Sequence, residues 1–166
     1  MGSITILSGD NMTLSTGSVL AGFQTAAANA AAARVKVRRV EISENTATTI
    51  QMCRGAFSTR DTAGTLTMTS TTPLLAHPLP GPASGHSGNP NSLGAAGRSG
   101  TSSSADSGGT YTNHHTFNFA NVNGYLWKPD DKEELWVPAS TVWVVRFVSA
   151  PATLTGWSVS IVLEEE

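Results

Sequence analysis

Charge is the first thing this chain is short of. Asp, Glu, Lys and Arg together make up 13% of its residues, about half the usual share. The formal net charge is −2 and the pI is near 6.1. A nucleic-acid binder draws much of its affinity from a basic surface, so neither DNA nor RNA is expected as a partner. One cysteine, Cys53, excludes an internal disulfide and suits maturation in a reducing cytoplasm. Cys53 reads as a small core residue of a strand. No apolar run approaches the ~20 residues needed to span a bilayer. No basic stretch followed by an apolar run opens the chain, so neither a secretion signal nor a membrane partner is expected.

Catalytic constellations are equally scarce. His77, His86, His114 and His115 are the metal candidates, but zinc needs three or four converging ligands. His114 and His115 are adjacent and would point to opposite faces of a strand, so they cannot share an ion without a bulge. Gly85-His86-Ser87-Gly88 lacks the spacing of a nucleophile elbow. The glycines at 94, 97 and 100 have no strand before them, no helix after them and no lysine to hold a phosphate. Asp130, Asp131, Glu133 and Glu134 read as a solvated turn rather than a calcium loop. No enzyme activity, metal or cofactor is expected.

What the chain does have is alternation. Trp157, Val159, Ile161 and Leu163 fall on one parity, with Ser158 and Ser160 on the other. That period of two marks a half-buried strand. Segment 34–44 repeats it, with Val35 and Val37 in one phase and Val40 and Ile42 in the other. The phase switch at Arg38-Arg39 predicts a bulge. Asn45 turns the chain into a returning strand over 48–57, with Ile50 and Met52 in phase, and 65–69 alternates again. Phe117 and Phe119 share a face. Asn123-Gly124 then signals a hairpin into Tyr125-Leu126-Trp127, because both turn positions tolerate positive φ. The pattern predicts roughly eight to ten short strands, the rhythm of an antiparallel sandwich or barrel.

Two segments look unlike the rest. Residues 1–33 read as a low-charge arm, with short alternations at Ile4 and Ile6 and at Val19, Ala21 and Phe23, a turn at Gly9-Asp10-Asn11, and an alanine run at 26–33. Residues 78–113 are rich in Gly, Ser and Pro and read as a long loop inserted between two strand-rich halves. The sandwich domain is thus expected over 34–166. Periodic apolar residues are wasted on a free tail but suit adding a strand to a neighbour's sheet, which makes Ile4, Ile6, Val19 and Phe23 interface candidates. All four tryptophans lie in the last forty or so residues, where packing a sandwich core is their commonest role. Over 141–149 both parities are apolar, so that strand is covered on both faces. A symmetry mate and a second layer within the chain are both open as the second cover. In the first case Trp143 and Phe147 are interface residues as well.

A resemblance rests on three motifs. They are Asn123-Gly124-Tyr125-Leu126-Trp127, then Glu134-Leu135-Trp136-Val137-Pro138, and the final strand Trp157-Ser158-Val159-Ser160-Ile161-Val162-Leu163-Glu164-Glu165. Together with the strand at Arg34-Val35-Lys36-Val37 and the segment Pro80-Gly81-Pro82-Ala83-Ser84, they resemble small structural proteins of tailed bacteriophages over most of 34–166. The resemblance implies an all-β, antiparallel, jelly-roll-like sandwich. It also implies a capsid decoration (cement) protein, a homotrimer bound to the major capsid protein on the virion surface. Other virion parts (a head fibre base, a tail component or a receptor-binding module) and a carbohydrate-binding module are the alternatives.

Overall fold

The computed structural model describes residues 4–14, 19–25, 35–61, 75–78, 98–101, 110–130, 132–138 and 141–165. Within them lie eleven strands: β1 (Ile4–Met12), β2 (Val19–Gln24), β3 (Val35–Glu44), β4 (Met52–Arg60), β5 (Leu75–Pro78), β6 (Arg98–Thr101), β7 (Tyr111–Ala120), β8 (Tyr125–Trp127), β9 (Leu135–Val137), β10 (Val142–Phe147) and β11 (Trp157–Glu165). They form two antiparallel sheets. The six-stranded sheet runs β5-β1-β11-β3-β8, with β9 also on β3, and the five-stranded sheet runs β6-β2-β10-β4-β7. The fold is an all-β sandwich.

Its pairing is nested. β1 pairs with β11, β2 with β10, β3 with β8 and β9, and β4 with β7. The N-terminal strands thus meet the C-terminal ones in reverse order, from the outermost pair inward. Rolling that ladder up brings β3 against β11 and β4 against β10. This is the jelly-roll wrap of two four-stranded sheets. β5 extends one sheet beyond β1, and β6 extends the other beyond β2.

The core lies where the inward parities of the two sheets face each other. Trp157, Val159, Ile161 and Leu163 are all buried, as their alternation predicts. Phe57 is the hub of the opposite layer, with ring centres of Phe117, Trp127 and Trp143 at 5.0, 5.1 and 5.4 Å. Phe147 and Trp157 meet across the sandwich at 4.8 Å. Each such side chain contributes about 1.5–3 kcal/mol relative to exposure. Gly55 makes room for this packing, since a Cβ there would stand 2.4 Å from the Phe117 ring.

The expected bulge is present. Val162 pairs with Arg39 and Leu163 with Val37, so Arg38 is the extra residue and the inward phase changes there. Val35, Val37, Val40 and Ile42 are consequently all buried.

Several expectations are corrected. Ile50 and Met52 are 77% and 69% exposed, and the core parity of β4 belongs to Cys53, Gly55 and Phe57. Asn123-Gly124 closes no hairpin, because β7 and β8 lie in different sheets. A 3-10 turn at Asn121–Asn123 and Gly124 at φ +66° carry the chain across the sandwich instead. Gly9-Asp10-Asn11 is no turn but an irregularity within β1, with Asn11 at φ 49°. The expected arm supplies β1 and β2, one to each sheet. Its apolar alternation finds partners inside this chain, in β11 and β10. The expected strand at 65–69 and the alanine run at 26–33 lie outside the described residues. So does most of 78–113, of which 98–101 forms β6 and 111–113 begins β7.

Candidate functional site

The two sheets leave a flank between β7 on one side and β8 and β9 on the other. A bulge shapes it. Phe57 pairs with His115 and Ser58 with Asn113, which leaves His114 as the extra residue. His114 Nε2 lies 2.8 Å from Thr59 Oγ1, and the residue lines a pocket of about 360 Å³. His115 Nε2 lies 3.1 Å from the Tyr125 hydroxyl, and its ring is 5.4 Å from that of Phe57. The bulge that two adjacent histidines would need in order to turn the same way is therefore there, yet each ring has its own neutral partner. Among the described residues no three His, Cys, Asp or Glu side chains come together as a metal would require.

The pocket is walled by β9, through Leu135, Trp136 and Val137, and by Thr59, Arg60 and His114 opposite, with Trp143 behind them. Trp136 is fixed from outside the pocket. Its Nε1–H donates to Glu134 Oε2 at 3.1 Å, and Lys36 Nζ lies 5.2 Å from its ring centre. Lys36 in turn is ion-paired with Glu134. The Glu134 carboxyl is held below its ordinary range, chiefly by the hydrogen bond from Lys36, with Trp136 and the charges of Lys36 and Arg38 adding to it. Burial pushes the Tyr125 hydroxyl up, which keeps it a neutral phenol beside His115. The lining residues include no carboxylate, serine or cysteine. This set can offer an indole wall, a hydroxyl and an imidazole to a ligand. Its Thr59 hydroxyl and His114 imidazole stand within hydrogen-bond reach of each other.

The interface candidates divide. Trp143 and Phe147 are enclosed in the core, as is Phe23, whose ring lies 5.3 Å from that of Trp143. This corrects their assignment to an interface. The second apolar face of β10, Val142 and Val144, is covered within the chain, where Tyr111 packs on it. Ile4 is 37% exposed and lies opposite Glu164; Ile6 is half-buried opposite Val162. Val19 stands in β2 opposite Arg146, and its side chain is not described.

Exposed apolar residues that were not anticipated lie at one end of the sandwich. Asn121 exchanges hydrogen bonds with Gln51, its N–H donating to the Gln51 carbonyl and its Oδ1 accepting the Gln51 N–H. This extends the β4–β7 ladder past the Met52–Ala120 pair, and Ile50, Met52 and Val122, all exposed, lie at that end of the two chain segments. The only sequence signal was the rival parity of Cys53, Gly55 and Phe57, which puts Met52 outward.

Fold and flank together define a jelly-roll sandwich with a small pocket at its open edge, walled by Arg60 among uncharged and aromatic side chains, and with exposed apolar residues at one end. No protein-family model, curated protein or solved structure matches the chain.

Proposed function

We propose that this chain is a structural protein of a phage virion: a capsid decoration protein that binds the outer head surface as a homotrimer and braces the major capsid subunits. A jelly roll alone serves many functions. What carries the reading is a coincidence between sequence and fold. The motifs at 123–127, 134–138 and 157–165 resemble those of phage structural proteins, for which a jelly-roll-like sandwich is expected, and the chain folds as one. The ionic side chains fit a scaffold, since Lys36–Glu134 and Arg38–Glu164 tie strands together. The exposed side chains of Ile50, Met52 and Val122 offer apolar contact area to a partner. Three copies binding at once act at high effective concentration, and attachment stabilises the bound lattice by mass action.

The test uses the phage whose genome encodes the chain. Purified chain should co-sediment with heads lacking it, saturate at a fixed ratio to the major capsid protein, and raise the temperature at which the heads rupture. Absence from purified virions, or no co-sedimentation, would sink the proposal. The pocket beside Trp136 favours a second reading, a carbohydrate-binding module. Saturable binding of a polysaccharide without any capsid would support it.

A further inference from the structure

The charges are sorted by sheet. The six-stranded sheet mixes both signs: Lys36, Arg38 and Arg39 stand among five acids, Asp10, Glu41, Glu44, Glu164 and Glu165, and all three cations are ion-paired. The strands of the five-stranded sheet contain no Asp, Glu or Lys, yet hold four arginines, at 54, 60, 98 and 146. Arg146 lies opposite Ala56, so Arg54 is its diagonal neighbour on the outer face, roughly 7–8 Å away. Neither forms an ion pair among the described residues. Like charges so placed work against folding, and among the described residues no carboxylate pairs with either of them.

The Arg146 guanidinium is already oriented. Its Nη2 donates to Asn113 Oδ1 at 3.0 Å and its Nε to Ser58 Oγ at 3.2 Å, with the Tyr111 ring centre at 5.1 Å. Around the pair, Met52, Thr116 and Asn118 are exposed. Arginine, methionine and tyrosine enriched, with lysine and acids depleted, is the composition of a protein interface.

We infer that the part of the outer face of the five-stranded sheet around Arg54 and Arg146, beyond the covered Val142 and Val144, docks on an acidic patch of a folded protein, whose carboxylates take the two arginines as planar, two-pronged partners. Two guanidiniums fall short of the 6–10 phosphate contacts of a typical DNA binder and of the 4–8 clustered cations that hold a membrane. The inference rests on the virion reading only for the partner's identity, the major capsid protein.

Intact chain and its Arg54→Glu and Arg54→Glu/Arg146→Glu variants are passed over immobilised poly-L-glutamate and duplex DNA, and are mixed with the phage heads. Despite its net charge of −2, the wild type should be held on polyglutamate at low salt and released as salt rises. Both variants should bind roughly tenfold or more weakly, while Lys128→Glu, outside this sheet, binds as wild type. Arg54 is exposed and Arg54→Glu removes the like-charge pair, so this variant should melt at or above the wild-type temperature. Equal binding of Arg54→Glu and wild type to polyglutamate, or tighter binding of the wild type to DNA than to polyglutamate, would overturn the inference. Heads bound equally by all forms overturn the docking face and leave the virion reading standing. Heads ignored by the wild type while polyglutamate discriminates between the forms do the reverse.

Discussion

Two residues show how the interior sets chemistry in this chain. Cys53 is buried on the core parity of β4, and its thiol is pushed above its ordinary value, first by burial and then by the charge of Glu44. The thiolate is the reactive form. The folded protein should therefore resist an aromatic disulfide reagent at neutral pH and take up one equivalent once unfolded in urea. Rapid labelling of the folded protein would contradict this. Glu134 is shifted the other way by Lys36. Because its folded carboxyl ionises below its unfolded value, its contribution is complete above the ordinary carboxylate pKa of about 4.3 and is lost as pH falls through the folded value. Glu134→Gln should thus flatten the acid side of the stability profile, read as urea midpoints against pH. Parallel profiles for the two proteins would mean that the Lys36 pair adds nothing to folding.

At the scale of elements, the crossing from β7 to β8 depends on Asn121. Its amide accepts from Gln51 N–H at 2.8 Å and donates to Glu44 Oε2 and to the Thr49 carbonyl, both at 3.2 Å. Glu44 is itself buried, with Thr46 N–H and Oγ1 as its other donors. Asn121→Ala removes one of three donors to a buried carboxylate and takes the side-chain partner from two backbone groups, and should cost about 2–3 kcal/mol in denaturant unfolding; a loss within measurement error would mean that water replaces the amide. This corner also shows where sequence reading fails. Asn-Gly reports a backbone that tolerates positive φ, and Gly124 has one, but it cannot report whether the flanking strands share a sheet. The bulge at Arg38 was legible because it flips a run of four apolar residues from one parity to the other. β4 was misread because Ile50 and Met52 offer a larger apolar signal than Cys53 and Gly55, although Gly55 is the residue that the Phe117 ring requires. The cleft around His114 needed a bulge whose only trace was the pair of adjacent histidines. The docking face needed to be told which strands share a sheet, and arginines at 54 and 146 are 92 positions apart in the chain.

At the scale of the whole molecule, nested pairing makes the two ends of the chain one structural unit. β1 lies between β5 and β11, and its pairing with β11 matches Ile4 to Glu164 and Met12 to Trp157. Met12 and Leu14 belong to the core, and the Leu14 N–H donates to the Leu154 carbonyl at 2.7 Å. A contact between the first strand and the last closes the longest loop available, so it forms late and slows folding relative to local pairing. Removing residues 2–14 would expose one edge of β11 and take from β5 its only partner strand among the described residues. It would also take two large apolar side chains from the interior, each replaced by a void that costs about 2–5 kcal/mol. A domain of ordinary stability, about 5–15 kcal/mol, does not survive both losses. The truncated protein should therefore lose its cooperative urea transition and its near-ultraviolet tryptophan signal, rather than merely its ability to assemble. If it instead keeps a sharp transition and fails only to associate or to attach to heads, β1 is dispensable to the sandwich. The segment 1–33 would then act as an arm after all, with its apolar alternation serving a neighbour's sheet.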